Sequence, residues 1–469
     1  MESLREIAEA ARGRMAGPGE DAGVCPAGVS IDTRTLKRGA LFFAIGGPNH
    51  DGHRFVEEAF SKGAVGAVVS RADALPEGRT GIVVDDTTRA LQEAAASRLR
   101  RIGARVVGIT GSSGKTTTKE MTRSALSGSF RVMASRGNLN NIFGLPLTLF
   151  DLEQGDQIAV LEMGISTRGE MRRLAEIADP DLAILTNLSG AHLEFFDSLD
   201  DYAKAKAELF ETMRPNTTGI FNADDERCRR IASSFHGYAA TFGMDTTADF
   251  RGTEYRGLGL DGCAFTVVHS GGSRDVSLRF AGAHHAMNAL AALAAGHLLG
   301  CGLDSMISGL EKLEPLEMRG RVVNLEGGVR ILDDSYNANP GAVRAALAVL
   351  SQTDPRGGRR IAVLGDMLEL GEDADHFHRE IGRLLAATGI DAAYLVGKLS
   401  LATAAEAGRA GFAGVTHLDN AAEAAERLAR EVRPGDVILV KGSRSIGLDG
   451  VVRALAGKIG ESGAAGGAA

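Results

Sequence analysis

Gly108-Ile109-Thr110-Gly111-Ser112-Ser113-Gly114-Lys115-Thr116-Thr117-Thr118 is the stretch on which the fold turns. The run that enters it, Arg105 to Thr110, has the β-branched content of a buried strand, and the residues after Lys115 follow a helical pattern. Between them a Gly/Ser turn, Gly111 to Gly114, sets backbone N–H groups at a helix N-terminus, where the partial positive charge of the helix dipole favours phosphate. Lys115 is then expected to reach the β- and γ-phosphates of a nucleotide, and the Thr116 hydroxyl to face Mg²⁺. Strict P-loop spacing needs a glycine at 109, where Ile109 stands, so the match is to the shorter Gly111-Ser112-Ser113-Gly114-Lys115-Thr116. The plain alternative is a Gly-rich connection between a strand and a helix.

Strand-like runs recur at 105–110, 157–163 and 181–187, each followed by a helical pattern. Such alternation predicts a parallel sheet wound on both faces, over residues 105–318. A second alternation, with strands at 329–333, 359–364, 391–396 and 436–441, predicts another doubly wound sheet over 319–460. Residues 1–104 carry shorter runs at 39–45 and 64–69 and helical stretches at 53–62 and 88–101, the pattern of a small α/β domain. Residues 461–469 are Gly- and Ala-rich with nothing to bury and are expected to form a disordered tail.

The 469 residues suggest about three domains, and 44% apolar with 24% charged residues describes an ordinary soluble protein. A net charge of −8 implies no global attraction to nucleic acid or anionic lipid, so phosphorylated ligands must be bound at local sites. Cys25, Cys228, Cys263 and Cys301 are too scattered for a zinc site or a disulfide framework. The charged N-terminus does not read as a secretory signal, and no apolar run reaches the roughly 18 residues of a membrane span. A cytoplasmic protein is expected.

Ligands of open α/β sheets bind beyond the carboxyl ends of the strands, so the residues there carry the chemistry. Glu162 ends one apolar run and is suited to hold Mg²⁺, or is simply a solvated strand-end carboxylate. His192 follows the next strand and Asn187, placing it as a metal ligand or a structural histidine. In the helical stretch 202–210, Tyr202, Lys206, Leu209 and Phe210 share a face while Lys204 points away. Lys206 therefore looks inward. Burial disfavours its ammonium form and would permit carbamylation by CO₂, giving an acid-like metal ligand; a snorkelling lysine is the alternative. Asn138, Asn140 and Asn141 offer neutral donors and acceptors to a polar ligand, or cap the helix that follows. Asp333 to Pro340 follows one C-terminal strand, and Lys441-Gly442-Ser443-Arg444 follows the last, where the cations could grip a carboxylate or phosphate.

Taken together these segments resemble the Mur ligase family over essentially all of the chain except the tail. Thr110 to Thr117 is similar to that family's ATP loop, while Glu162, His192 and Lys206 match its metal and carbamyl-lysine positions. The resemblance puts Asn288 at the adenine, with Arg319 and Asp334 among the nucleotide contacts. Within the family, five segments resemble members that add D-alanyl-D-alanine to UDP-N-acetylmuramoyl-tripeptide: Ser30-Ile31-Asp32-Thr33-Arg34, Asp51-Gly52-His53, 138–146, 334–340 and 364–371. The Asp-Asn-Pro-Arg motif of diaminopimelate-adding relatives is absent. His285 stands where Asn is common, and Leu448-Asp449 where Met-Glu is usual.

The resemblance implies three domains: an N-terminal one for the UDP end of the acceptor, a central P-loop-type ATP domain, and a C-terminal Rossmann-like one that closes over the nucleotide. It implies ATP, two Mg²⁺ ions and a carbamylated Lys206 as cofactors, one ion near Thr116 and Glu162 and the other near His192 and Lys206. Lys115, Lys206 and His192 are the implied catalytic residues. Ser30, Asp32, Thr33, Arg34, Asn138, Asn140, Asn141, Asn337, Lys441 and Ser443 are the implied substrate contacts. The expected partners are the two small-molecule substrates, with no nucleic acid and no membrane span, on a monomer or weak oligomer. A folylpolyglutamate synthase-like ligase, a diaminopimelate-adding enzyme or a P-loop ATPase driving a partner's motion are the competing readings.

Overall fold

The structure is a computed structural model that describes residues 1–17, 19–47, 50–190 and 193–462. Of the tail expected at 461–469, the first two residues are ordered, since Glu461 bridges to Leu325 and Ser462 N–H donates to Asn324 O at 3.1 Å; the rest, 463–469, lies outside the described residues. Three larger sheets follow one another along the chain. In the central one, the strand Arg105–Thr110 runs parallel between Ile158–Glu162 on one side and Leu182–Leu185 on the other. The chain therefore changes direction across the sheet at this strand, which is the place where open α/β sheets form a crevice. Alternation along the strand serves both faces: Val106 joins a core with Leu161 and Ala183, while Val107 and Ile109 join another with Met121, Ile184 and Leu290. Helices cover each face, Lys115–Leu126 and Ala283–Leu298 on the second of these cores.

The parallel reading of this sheet is incomplete. It has nine strands, because Thr218–Asn222 and Tyr238–Gly243 extend it in parallel and Phe250–Gly257, Cys263–His269 and Gly272–Leu278 continue it as an antiparallel meander. Phe265, Val267, Val276 and Leu278 alternate inward there and cover the long helix Ala283–Leu298. The N-terminal sheet pairs Ala40–Phe43 with Gly66–Val69 in parallel and ends on an antiparallel edge, Arg14–Ala16. The C-terminal sheet is parallel through Arg330–Asp333, Val437–Lys441, Arg360–Gly365, Ala392–Val396 and Val415–Leu418, with Arg321–Asn324 as its antiparallel edge. No helix among the described residues is long and apolar enough to cross a membrane.

The N-terminal and central sheets share one apolar core: Leu91, Ala95 and Leu99 of the helix Thr87–Ile102 pack in the same cluster as Phe43 and Val68 before it and Leu145 and Leu174 after it. Arg173 ties the two sides further, donating to Glu93 at 2.9 Å and to Gln92 at 2.7 Å.

The turn after Arg105–Thr110 is fixed by close packing. Gly111 has φ +144°, and a Cβ on it would lie 2.0 Å from Thr186 Oγ1. Only glycine fits there, since an added methyl group must displace the neighbouring strand end. Gly111→Ala is expected to lower stability by about 1–3 kcal/mol, read as a drop in the thermal unfolding midpoint. A melt superimposable on the parent's would contradict the contact.

Candidate functional site

The helix Lys115–Leu126 begins from Gly114 in the left-handed conformation (φ 82°) and has no side-chain cap. Its first-turn N–H groups are orphans by the geometry of a helix start, and Gly114, Lys115, Thr116 and Thr117 all line one cavity. Earlier amides of the loop are already used: Ser112 N–H donates to Asn187 O at 2.9 Å and Ser113 N–H to Asn187 Oδ1 at 3.1 Å. Thr186 Oγ1 and Asn187 Nδ2 both donate to Ser113 O, at 2.7 and 3.0 Å, and Asn222 Nδ2 fixes Thr186 by donating to its carbonyl at 2.8 Å. The strand ends thus hold the loop rigid and leave the helix start open toward the cavity.

That cavity, about 570 Å³, is walled by the central and C-terminal domains together. Of the residues singled out in the sequence, Ser112, Ser113, Gly114, Lys115, Thr116, Thr117, Asn138, Asn140, Asn141, Glu162, Lys206, Asn288, Arg319, Asp334, Asn337 and Lys441 all line it. Gly111 lies behind it, against Thr186. Ser443 does not line it: the side chain is buried and accepts Leu368 N–H at 2.9 Å, bracing a loop beside the cavity. Ser30, Asp32, Thr33 and Arg34 are elsewhere, on the N-terminal domain, where Asp32 accepts the Arg34 guanidinium and Ser30 Oγ donates to Asp32 O. Arg34 is largely exposed. His192 lies outside the described residues.

Glu162 is buried at the end of its strand, with one oxygen accepting Thr116 Oγ1 at 2.8 Å and the other accepting Asn140 Nδ2 at 2.8 Å. This joins three of the expected residues into one cluster of hard oxygen donors. Mg²⁺ suits such a set: it is usually held by one or two carboxylates, with substrate phosphates and water completing the shell. Asn141 lines the cavity, but its Oδ1 accepts Phe143 and Gly144 N–H at 3.1 and 2.8 Å, so that end of the amide caps the next helix.

The inward reading of Lys206 holds geometrically. The helix Leu199–Thr212 buries Tyr202, Lys206, Leu209 and Phe210 and leaves Lys204 exposed. Lys206 is 1% exposed, its ammonium lies 5.2 Å from the centre of the Tyr202 ring, and no hydrogen-bond acceptor among the described residues pairs with it. Burial, with the nearby Lys115 charge, pushes its amine well below the ordinary lysine range, against the pull of Glu162 and Glu170. A snorkelling lysine would extend to the outer surface; this one is buried and faces the cavity.

Lys115 curls back so that Nζ donates to Gly111 O at 2.8 Å and Ser112 O at 3.2 Å. Burial lowers its pKa, Glu162 opposes the shift and Arg319 adds to it. Arg319 places its guanidinium 3.9 Å from the centre of the Tyr336 ring. Lys441 is buried against Asp334 and donates to Asn337 O at 3.1 Å, so its charge is already matched. Asn288 packs on the loop, its Oδ1 2.5 Å from where a Cβ on Gly114 would lie. Beside it, His285 is buried, and burial holds its pKa well below the ordinary histidine value.

Tyr336, Asn339, Thr186 and His284 also line the cavity and were not singled out as contacts from the sequence. For Tyr336 and Asn339 the signal was present, because both sit in the 334–340 segment beside Asn337. Thr186 had none beyond its strand-end position.

Three family models match the chain: the catalytic domain of the Mur ligase family over residues 27–99, the Mur ligase middle domain over 109–296, and the glutamate ligase domain of Mur ligases over 318–444. The chain is 35% identical over 455 residues to the UDP-N-acetylmuramoyl-tripeptide–D-alanyl-D-alanine ligase of Bacillus subtilis, covering 97% of this chain and 98% of that one. It is 38% identical over 432 residues to the ligase of the same name from Escherichia coli, covering 91% and 93%. Among solved structures, a crystal structure of MurF from Acinetobacter baumannii superposes with a TM-score of 0.88 at 31% identity, over 97% of this chain and 99% of that one. MurF from Thermotoga maritima in complex with ADP superposes with a TM-score of 0.82 at 29% identity, over 92% and 97%. On this agreement of sequence, domain order and fold, the chain belongs to the Mur ligase family.

Proposed function

We propose that the chain is an ATP-dependent ligase that joins D-alanyl-D-alanine to UDP-N-acetylmuramoyl-tripeptide, a cytoplasmic step of peptidoglycan precursor synthesis. The observation that carries this reading is the single cavity in which an uncapped helix start, Lys115, the Thr116–Glu162 pair and buried Lys206 face Arg319 and Asp334 of the other domain. The similarity to ligases of that name over nearly the whole chain supports the choice of substrates.

In this reading the terminal carboxylate of the peptide attacks the γ-phosphorus of ATP, the bond to the β–γ bridging oxygen breaks, and ADP leaves. The amine of D-alanyl-D-alanine then attacks the acyl carbon and loses a proton, and phosphate departs as the amide forms. Carboxylate oxygen is a poor leaving group and phosphate a good one, which is why the first step is needed.

The chain's part is positioning and electrostatics, which dominate phosphoryl transfer. The amides of Gly114 to Thr117 cradle phosphate oxygens, and Lys115 leaves the loop carbonyls to meet the γ-phosphate. Asn288 and Asp334 orient the nucleoside, and Arg319, which no carboxylate among the described residues pairs with, is available to a phosphate. Thr116 and Glu162 would hold one Mg²⁺, whose charge would offset that of the transferred group. Lys206 and His192 are the proposed donors for a second, Lys206 as its carbamate. That carbamate forms when the neutral amine adds CO₂ and releases one proton, and burial already favours the neutral amine. Walls from two domains keep water from the acyl phosphate.

The reading is tested by ADP release over acceptor peptides and dipeptide donors: release should require both the muramoyl tripeptide and D-alanyl-D-alanine, and release independent of either would contradict it. Lys115→Ala should abolish ligation while leaving the circular dichroism spectrum and melt near the parent's, since it removes a phosphate cation and no core contact. Lys206→Ala should be nearly inactive and partly rescued by a short carboxylic acid in solution; full activity without rescue would refute the carbamate. Lys206→Met carries a further expectation in CO₂-free buffer. With its folded pKa depressed, Lys206 binds fewer protons folded than unfolded, so it penalises folding increasingly as pH falls below the ordinary lysine value. Lys206→Met should therefore raise the melting midpoint, most at the acid end, and flatten its rise with pH.

A further inference from the structure

Ser113 is held from two domains. Its N–H and carbonyl are bound by Asn187 and Thr186 of the central sheet, whereas its hydroxyl accepts Asn339 Nδ2 at 2.8 Å from 226 residues away. The other end of the same amide is engaged as well: Asn339 Oδ1 accepts Ala342 N–H at 2.9 Å and caps the helix Pro340–Gln352. One planar group thus links the start of a C-terminal helix to the phosphate loop at fixed length. The next residue reinforces the approach. Gly341 sits where a Cβ would lie 3.3 Å from Ser189 Oγ, and Ser189 is tied to Ser112 by two hydrogen bonds of 2.9 Å.

We infer that Asn339 is the closure latch of the enzyme, a positioning residue whose amide registers the docked C-terminal domain on Ser113 of the phosphate loop. The domains cannot separate without breaking this bond, and the loop hydroxyl is oriented only while they are docked. The inference rests on the ligase reading above, in which an acyl phosphate survives only while water is excluded. A loosened latch lets hydrolysis compete with the amine.

Asn339→Ser keeps a capping oxygen and is too short to reach Ser113. The expected result is an unchanged thermal midpoint, a several-fold rise in ADP released per amide formed, and a fall of about tenfold in kcat/KM for the dipeptide, the size of one lost hydrogen bond. Ser113→Ala leaves the cap untouched and must raise the same ratio, which keeps the test sound if Asn339→Ser lowers the midpoint. Combining the two should add little to either alone, as expected of partners in one contact. An unchanged ratio in both variants, or losses that simply add, would overturn the latch. Small-angle scattering with ADP and Mg²⁺ reads the latch without turnover: Asn339→Ser should show a larger radius of gyration than the parent, and equal radii would overturn it. A parent that forms no amide would instead defeat the ligase reading, and scattering would still decide the latch.

Discussion

The helix Lys115–Leu126 starts without any side chain over its first turn. A helix start inside a protein normally meets a capping oxygen, because N–H groups left without partners are destabilising, and replacing a good cap forfeits about 1 kcal/mol. Here the cap position is glycine in a left-handed conformation, and the exposed amides point into a cavity walled by two domains. Leaving donors open is worthwhile only where an anion arrives to take them. The surrounding contacts serve that opening. Thr186, Asn187 and Asn222 tie down Ser112 and Ser113, so the loop cannot fold over its own helix. Gly111 permits the strand ends to come close enough for those bonds.

The charges in the cavity follow the same logic. Lys441 is matched by Asp334, whereas Lys206 has no ion-pair partner among the described residues and Lys115 has only carbonyl oxygens. A buried cation without a counter-ion weakens a fold, and the lowered pKa of Lys206 expresses that penalty. Strain of this kind is tolerated at sites where a ligand removes it. A triphosphate supplies the missing negative charge for Lys115 and Arg319. Conversion of Lys206 to a carbamate would replace an unfavourable buried cation with an anion able to share a metal with its neighbours.

Much of this was legible in the chain because it depends on local spacing. The loop is contiguous, and Glu162 is the last residue of a strand whose burial is written in Ile158 to Leu161. The inward turn of Lys206 follows from intervals of three and four to Tyr202, Leu209 and Phe210. What could not be read is set by distant partners. The antiparallel meander at 250–278 was not distinguished from the parallel core, because its short alternating strands bury only one face and resemble many half-exposed segments. Ser443 sits at the right strand end, yet its hydroxyl turns to Leu368 N–H, a contact 75 residues away. Asn141 looked like its neighbour Asn140, but only Asn140 reaches Glu162. The link from Asn339 to Ser113 spans the domains and leaves no periodic trace in the sequence.

The account stands on phosphate binding at the uncapped start of one helix. Its most direct test is a crystal structure of the protein with a non-hydrolysable ATP analogue and Mg²⁺. The account predicts the β- and γ-phosphate oxygens on the amides of Gly114 to Thr117, with Lys115 released from the carbonyls of Gly111 and Ser112 to meet them. Nucleotide bound elsewhere, with Lys115 still held by those carbonyls, would contradict it.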